Sequence, residues 1–221
     1  MKNNLKSLEI AAAGLRYILL FGILSALFLP IPSLFFKSVG LLFLILTLFC
    51  IYFFRDPERT VPKDLSYIVA PADGKVLEIV QEYSPQMREK VTVIKIFLSI
   101  FNVHVQRSPI SGKIAQIDYK EGKFLDARNP KASEENENNS ITIESENCKM
   151  VVKQIAGLLA RRILCWVNVG QSVGVGERLG LIQFGSQVDL YLPKNMEILC
   201  GPGDRVTGGE TVIALNKGIA R

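Results

Sequence analysis

Three side chains of this sequence could together move a proton and supply a nucleophile: Asp73, His104 and Ser186. Asp73 sits in Pro71-Ala72-Asp73-Gly74, although Asp-Gly is also a favoured plain turn. His104 is the only histidine of the chain and lies among apolar neighbours in Phe101-Asn102-Val103-His104-Val105. A lone histidine in such company is more often a core residue than a base. Ser186 belongs to Phe184-Gly185-Ser186-Gln187, an ordinary Gly-Ser turn by itself, which leads into Val188-Asp189-Leu190-Tyr191-Leu192-Pro193. Taken together, the three are the parts of a Ser-His-Asp constellation, which is recognised by role and not by chain order. Any imidazole base must then be His104. No G-x-S-x-G elbow surrounds Ser186, so a general serine hydrolase is weakly supported. One histidine and four scattered cysteines do not make metal-ligand spacing, so no metal is expected.

The elements that must hold these residues are short and β-rich. Runs of Val and Ile at 67–70, 75–80, 91–98, 102–106, 113–119, 141–144 and 150–153 are separated by Gly, Pro, Asp and Ser, which predicts strands joined by turns. Residues 155–165 have the best helical pattern of this region, and 134–140 read as a polar loop with nothing apolar to bury. Val173-Gly174-Val175-Gly176-Glu177 and Val206-Thr207-Gly208-Gly209-Glu210 repeat Val-x-x-Gly-Glu. Turns of this kind resemble those of biotinyl- and lipoyl-type sandwich domains, but no lysine-bearing hairpin tip is present, so the likeness concerns architecture only. The expected fold is mainly β (α+β), a sandwich or barrel-like domain over residues 55–221.

Ahead of it, residues 1–54 are predicted to form a membrane hairpin. Two apolar runs, 17–36 and 39–54, flank Lys37, with Pro30 and Pro32 breaking the first. A bilayer core needs roughly 20 helical residues, so the pair could span or only dip. Lys2, Lys6 and Arg16 precede the runs and Arg55, Arg59 and Lys63 follow them, which places both ends in the cytoplasm. The apolar stretch is too long for a cleaved signal peptide and lacks a small-residue cleavage site. Of the net charge of +5, Lys2, Lys6, Arg16 and Lys37 against Glu9 leave only +2 for the remainder, which argues against nucleic acid as a partner. Cys50, Cys148, Cys165 and Cys200 form no CxxC pair and fit reduced, structural thiols on a cytosolic face.

In order along the chain, Phe54-Arg55-Asp56-Pro57-Glu58-Arg59, Pro71-Ala72-Asp73-Gly74, Phe97-Leu98-Ser99-Ile100-Phe101-Asn102-Val103-His104-Val105, Lys131-Ala132-Ser133-Glu134-Glu135-Asn136-Glu137, Gln154-Ile155-Ala156-Gly157 with Ala160-Arg161-Arg162, and Phe184-Gly185-Ser186 with Val188-Asp189-Leu190-Tyr191-Leu192-Pro193 resemble the short, prokaryotic (type II) phosphatidylserine decarboxylase proenzymes, which are pyruvoyl-dependent. The resemblance covers almost the whole chain. It implies self-cleavage between Gly185 and Ser186 into residues 1–185 and 186–221, which stay together as a heterodimer or a higher oligomer. It implies that Ser186 becomes a pyruvoyl group, the only cofactor, which forms a Schiff base with the substrate. His104 would be the base for cleavage and Asp73 would orient it. The implied reaction converts phosphatidylserine to phosphatidylethanolamine at the cytoplasmic face of a bacterial inner membrane, with membrane lipids as partners.

One departure stands out. Larger relatives carry a second histidine three residues before the triad histidine, and here that place is Phe101. The proton donor in decarboxylation is then His104 in a second role or a bound water. Arg161 and Arg162, expected on a short helix, could meet the substrate's phosphate or carboxylate, or simply face water. The 131–137 segment could be a lid or a solvated loop. Two other readings stay open: a membrane-tethered β-sandwich carrier or binding module, and a membrane-bound serine hydrolase that does not cut itself.

Overall fold

A computed structural model describes residues 12–126, 129, 131–146, 148–158 and 162–218. The chain divides into two compact units between Glu58 and Arg59.

The first unit is a helix pair, α1 (Leu15–Phe28) and α2 (Leu34–Phe53). Pro30 and Pro32 lie between them, where a missing N–H and a fixed φ stop a helix. The break falls inside the first apolar run and donates its last residues to the second helix. The first apolar run is the longer in sequence, but among the described residues α2, with 20 residues, is the helix long and apolar enough to cross a membrane. At 1.5 Å per residue it reaches roughly 30 Å, about a bilayer core. The helices pack closely at Gly40, where an added methyl would stand 2.7 Å from the Leu29 amide nitrogen. Ser25 donates to the Gly40 carbonyl at 3.0 Å in the same seam.

The second unit is mainly β and sandwich-like, as its Val- and Ile-rich runs predict. Its strands are β1 (Tyr67–Val69), β2 (Gly74–Ser84), β3 (Glu89–Leu98), β4 (Val105–Arg107), β5 (Gly112–Lys120), β6 (Asn138–Glu144), β7 (Lys149–Ala156), β8 (Ile163–Cys165), β9 (Ser172–Val173), β10 (Arg178–Ile182), β11 (Ser186–Leu192), β12 (Met196–Ile198), β13 (Arg205–Val206) and β14 (Val212–Asn216). The main sheet runs β13-β2-β3-β11-β7-β6-β5-β9, and two three-stranded sheets run β1-β14-β12 and β4-β10-β8. Ile68, Ala214, Leu179 and Ile182 from the small sheets join Val76, Ile96, Leu98, Val188 and Leu190 of the main sheet in one core. On the other face Val91, Val93, Val151 and Tyr191 make a smaller cluster. Strand β11 is central, antiparallel to both β3 and β7, and buried at every position.

Three expectations change. Residues 155–165 are not a helix in their described part: β7 runs through Ala156 and β8 begins at Ile163. Ladder bonds to β6 and β11 on both sides of β7 outweigh local helix preference. Residues 134–140 are not a solvated loop either. After a short helix α3 (Ala132–Glu135), Asn136 to Ser140 are buried, and Asn138 opens β6. Their amides are satisfied internally: Asn136 donates to the Leu125 and Ala156 carbonyls at 2.9 and 2.7 Å, and Asn139 to Gln154 Oε1 at 2.8 Å. Finally, 102–106 yield only β4, and His104 precedes it. The two Val-x-x-Gly-Glu turns do share a geometry. Gly176 and Gly209 have φ of 74° and 80°, and a methyl on Gly209 would lie 3.5 Å from Gly176 Cα, so the turns lie against each other.

Candidate active site

Ser186 is the first residue of β11, opposite Leu98 and Ala156, which are the last residues of β3 and β7. The serine therefore stands at one end of the sheet, where the loops following both neighbouring strands leave. It is fully buried, and its Oγ has no hydrogen-bond partner among the described residues. A buried hydroxyl without a partner is costly in a resting fold, by about 1–3 kcal/mol. The backbone just before it is strained. Phe184 has φ of 60° and Gly185 has φ of 70°, so two consecutive residues are left-handed. Glycine bears this cheaply, but a bulky phenylalanine costs on the order of 1–3 kcal/mol. Nothing in the residue type of Phe184 announces this conformation.

His104 is fully buried beside that turn. Its Nε2 accepts the Gly185 N–H at 3.3 Å, and its Nδ1 lies 3.0 Å from the Asn102 carbonyl. A carbonyl only accepts and an amide N–H only donates. The proton is thus assigned to Nδ1, leaving the Nε2 lone pair aimed at the residue before Ser186. The segment is pinned from behind by a chain of amides. Gln106 Nε2 donates to the His104 carbonyl at 2.7 Å, Gln154 Nε2 to Gln106 Oε1 at 2.8 Å, and Asn139 Nδ2 to Gln154 Oε1 at 2.8 Å.

Asp73 lies in the turn before β2. Arg59 Nη2 donates to both of its oxygens at 2.9 and 3.0 Å, and the Gly208 N–H to Oδ1 at 2.8 Å. The carboxylate's hydrogen bonds go to Arg59 and the second Val-x-x-Gly-Glu turn, while the imidazole takes its Nδ1 partner from the backbone. The Asn102 carbonyl thus holds one side of the His104 ring. Asp73 and Asn102 share the wall of a surface cavity. Arg161 lies outside the described residues. Arg162 is exposed, and its carbonyl accepts the Gln183 N–H at 3.1 Å, which ties it to the strand end ahead of the Phe184 turn.

On the opposite face of β11 is a polar cluster that residue types alone do not reveal. Gln187 Nε2 donates to Asp189 Oδ1 at 2.6 Å and to Ser133 Oγ at 3.0 Å, and Ser133 Oγ donates to Asp189 Oδ2 at 2.9 Å. Lys153 Nζ donates to the Ser133 carbonyl at 2.6 Å. Burial pushes the Asp189 carboxyl up to about 6, against the pull of Gln187, Lys153 and Ser133. Burial likewise pushes the Lys153 ammonium down, with Asp189 opposing. The one hint in the sequence is an aspartate among the apolar residues 188–192. Ser133 thereby fastens the 131–137 segment to the strand that Ser186 begins.

The described residues contain no cluster of His, Cys, Asp and Glu suited to a metal. The arrangement offers a buried nucleophile, a base-competent imidazole and a strained peptide between them in sequence.

Comparison with known proteins agrees with the motifs. A model of the phosphatidylserine decarboxylase family matches residues 46–214. The chain is 41% identical over 211 residues to a phosphatidylserine decarboxylase proenzyme of Geotalea uraniireducens (strain Rf4), covering 95% of this chain and 98% of that protein. It is 44% identical over 220 residues to the protein of the same name from Geobacter metallireducens (strain ATCC 53774 / DSM 7210 / GS-15), covering 97% and 99%.

Proposed function

Since the chain belongs to the phosphatidylserine decarboxylase family, we propose that it cuts itself between Gly185 and Ser186 and then decarboxylates phosphatidylserine to phosphatidylethanolamine. The observation that carries this reading is the unpartnered, buried Ser186 Oγ behind two left-handed residues, with His104 Nε2 on the Gly185 amide.

In the cut, His104 Nε2 takes the Ser186 hydroxyl proton while Oγ attacks the Gly185 carbonyl carbon. The C–N bond breaks, and the protonated imidazole returns a proton to the Ser186 nitrogen, leaving an ester. Removal of the Ser186 α-proton then expels the Gly185 carboxylate. Water replaces the nitrogen of the resulting enamine, released as ammonia, and residue 186 becomes a pyruvoyl group. The left-handed turn favours the first step because breaking the peptide releases its strain. Asn102 keeps the imidazole in its base form, and Asp73, on the same cavity wall as Asn102, orients that assembly.

The site fits such a group, because residue 186 is buried and lies at the head of a strand held on both sides. When present, the group supplies an electrophilic carbonyl that accepts the electrons left by departing carbon dioxide. The residues of this chain do the rest. Ladder bonds of β11 to β3 and β7 hold residues 186–221 on 1–185 after the cut. Gln187 and Asp189, clamped to Ser133, hold the new terminus in register. Phe101 has no proton to give, so the α-carbon is reprotonated by His104 or by a water it holds. The helix pair α1 and α2 keeps the enzyme at the cytoplasmic face of the inner membrane, where its substrate's acyl chains reside; each CH₂ moved from lipid to water costs about 0.8 kcal/mol.

Intact-mass measurement tests the reading. Two chains, the smaller beginning at a carbonyl-bearing residue 186, are expected. A single unmodified chain in active protein refutes it and would leave the carrier-module and serine-hydrolase alternatives.

A further inference from the structure

Cross-strand partners share a face of a sheet, and one such row passes through Gln187. It reads Arg205, Lys75, Phe97, Gln187, with Arg205 opposite Lys75, Lys75 opposite Phe97 and Phe97 opposite Gln187. Toward β7 this face is covered by the 131–137 segment, since Ser133 is bonded to Gln187. Toward β13 it opens into a cavity of about 520 Å³ lined by Asp73, Lys75, Phe97, Phe101, Asn102 and Arg205, among others. That volume lies in the range of small-molecule sites, about 300–1,000 Å³.

Two features of the cavity call for a ligand. Lys75 and Arg205 are exposed, directly opposite each other on neighbouring strands, and make no ion pair among the described residues. Like charges so placed repel and weaken the pairing, and an anion between them would relieve that repulsion. Phe101 is 63% exposed on the same wall. An apolar ring beside two cations suits an amphiphile whose anionic group leads into a hydrocarbon portion.

The cavity also shares its loop with the reacting centre. Ser99, Phe101 and Asn102 line it, while from the same loop Asn102 holds His104, and a methyl on Gly185 would lie 3.9 Å from Ile100 Cγ2. Lys75 is two strands from β11, roughly 10 Å at the usual strand spacing; the Ser186 side chain faces the other side of the sheet, so the path from the cavity to residue 186 runs round the end of β11 beside the 99–102 loop. A lysine or arginine side chain spans much of that gap. A serine headgroup at residue 186 would therefore place its phosphodiester within reach of the pair.

We infer that Lys75 and Arg205 form the phosphodiester subsite of the decarboxylase, fixing the substrate's phosphate while its serine end reaches residue 186. This rests on the decarboxylase reading above. The guanidinium can engage two phosphate oxygens and the ammonium a third.

The test uses the full chain in detergent, with Lys75→Gln and Arg205→Gln singly and together, and a charge-preserving Lys75→Arg control. Self-cleavage, read by intact mass, should be normal in all of them. With monomerically dissolved dihexanoyl phosphatidylserine, the double variant should raise KM about tenfold or more with kcat within twofold, and Lys75→Arg should restore KM. Binding of glycerophosphoserine to the Ser186→Ala chain should weaken by a similar factor when the pair is removed; this readout does not need turnover. A separate arm measures sedimentation with phosphatidylglycerol vesicles. Loss of vesicle binding with KM and glycerophosphoserine affinity unchanged would mean that the pair serves the bilayer surface, and would overturn the subsite. So would no change in any arm. A parent protein that neither cuts itself nor decarboxylates would instead refute the enzyme reading, while the glycerophosphoserine titration would still decide the subsite.

Discussion

The Nε2 atom of His104 accepts the backbone N–H of Gly185 at 3.3 Å, joining two positions 81 residues apart. With Nδ1 held by the Asn102 carbonyl, the only imidazole of the chain turns its Nε2 lone pair to the residue before Ser186.

His104→Ala should leave the 221-residue chain uncut. Loss of a positioned base costs about 10²–10⁴-fold in rate. The measurement is the half-time of chain cleavage after synthesis, followed by gel and mass. His104→Ala cutting at the parent rate would remove the base assignment.

Ser186→Ala should be uncut and without decarboxylase activity, and it should be more stable than the parent proenzyme. Removing an unsatisfied buried hydroxyl recovers about 1–3 kcal/mol in the folded state. Comparing its thermal midpoint with that of the uncut His104→Ala chain checks this, since both lack cleavage.

Phe184→Asn should slow cleavage by roughly tenfold or less. Asparagine tolerates a left-handed φ better than phenylalanine, so about 1 kcal/mol less strain is available for release. Gly185→Ala has room for its methyl, with Ile100 Cγ2 3.9 Å away, but must hold φ at 70°. It should destabilise the uncut chain by about 1 kcal/mol. A parent-like cleavage rate in Phe184→Asn would show that the turn stores nothing useful.

Asp189 should give the uncut chain a pH-dependent stability of its own. Its folded pKa of about 6 lies above the ordinary 3.8, so the folded state holds more protons between these values. Stability contributed by this group is greatest below the unfolded value and falls as pH rises toward 6, by roughly 2–3 kcal/mol in all. In the Ser186→Ala background, Asp189→Asn should flatten the dependence between pH 4 and 6. An unchanged slope in thermal midpoints would contradict the buried, raised carboxyl.

Breaking the ion pair of Arg59 with Asp73 should act less directly than losing His104. Arg59→Gln removes a partner that is only 8% exposed and leaves Asp73 short of two hydrogen bonds, costing about 1–3 kcal/mol. Cleavage should slow yet continue, because His104 keeps its Asn102 partner. A complete block like that of His104→Ala would place the carboxylate nearer the chemistry than Arg59 and Gly208 allow.

Local signals in the sequence determined a good deal. Runs of Val and Ile separated by Gly, Pro, Asp and Ser predicted a β unit, because branched side chains suit a pleated surface and turn residues end each strand. A lone histidine left a single candidate base, and ordered motifs led to Asp73, Gly185 and Ser186. Other decisions belonged to the tertiary structure. Residues 134–140 look like a polar loop, yet 136–140 are buried because Gln154 and two backbone carbonyls, distant in sequence, satisfy amides of Asn136 and Asn139. Residues 155–165 look helical, yet two neighbouring strands claim β7. Phe184 carries a left-handed φ that no property of phenylalanine forecasts, and Asp73 turned to Arg59 and Gly208. Residue type limits which proton or charge a side chain can offer. Which partner receives it depends on contacts brought together only when the chain closes, and those contacts outweigh local preference by more than the few tenths of a kcal/mol that separate helix, strand and loop for most residues.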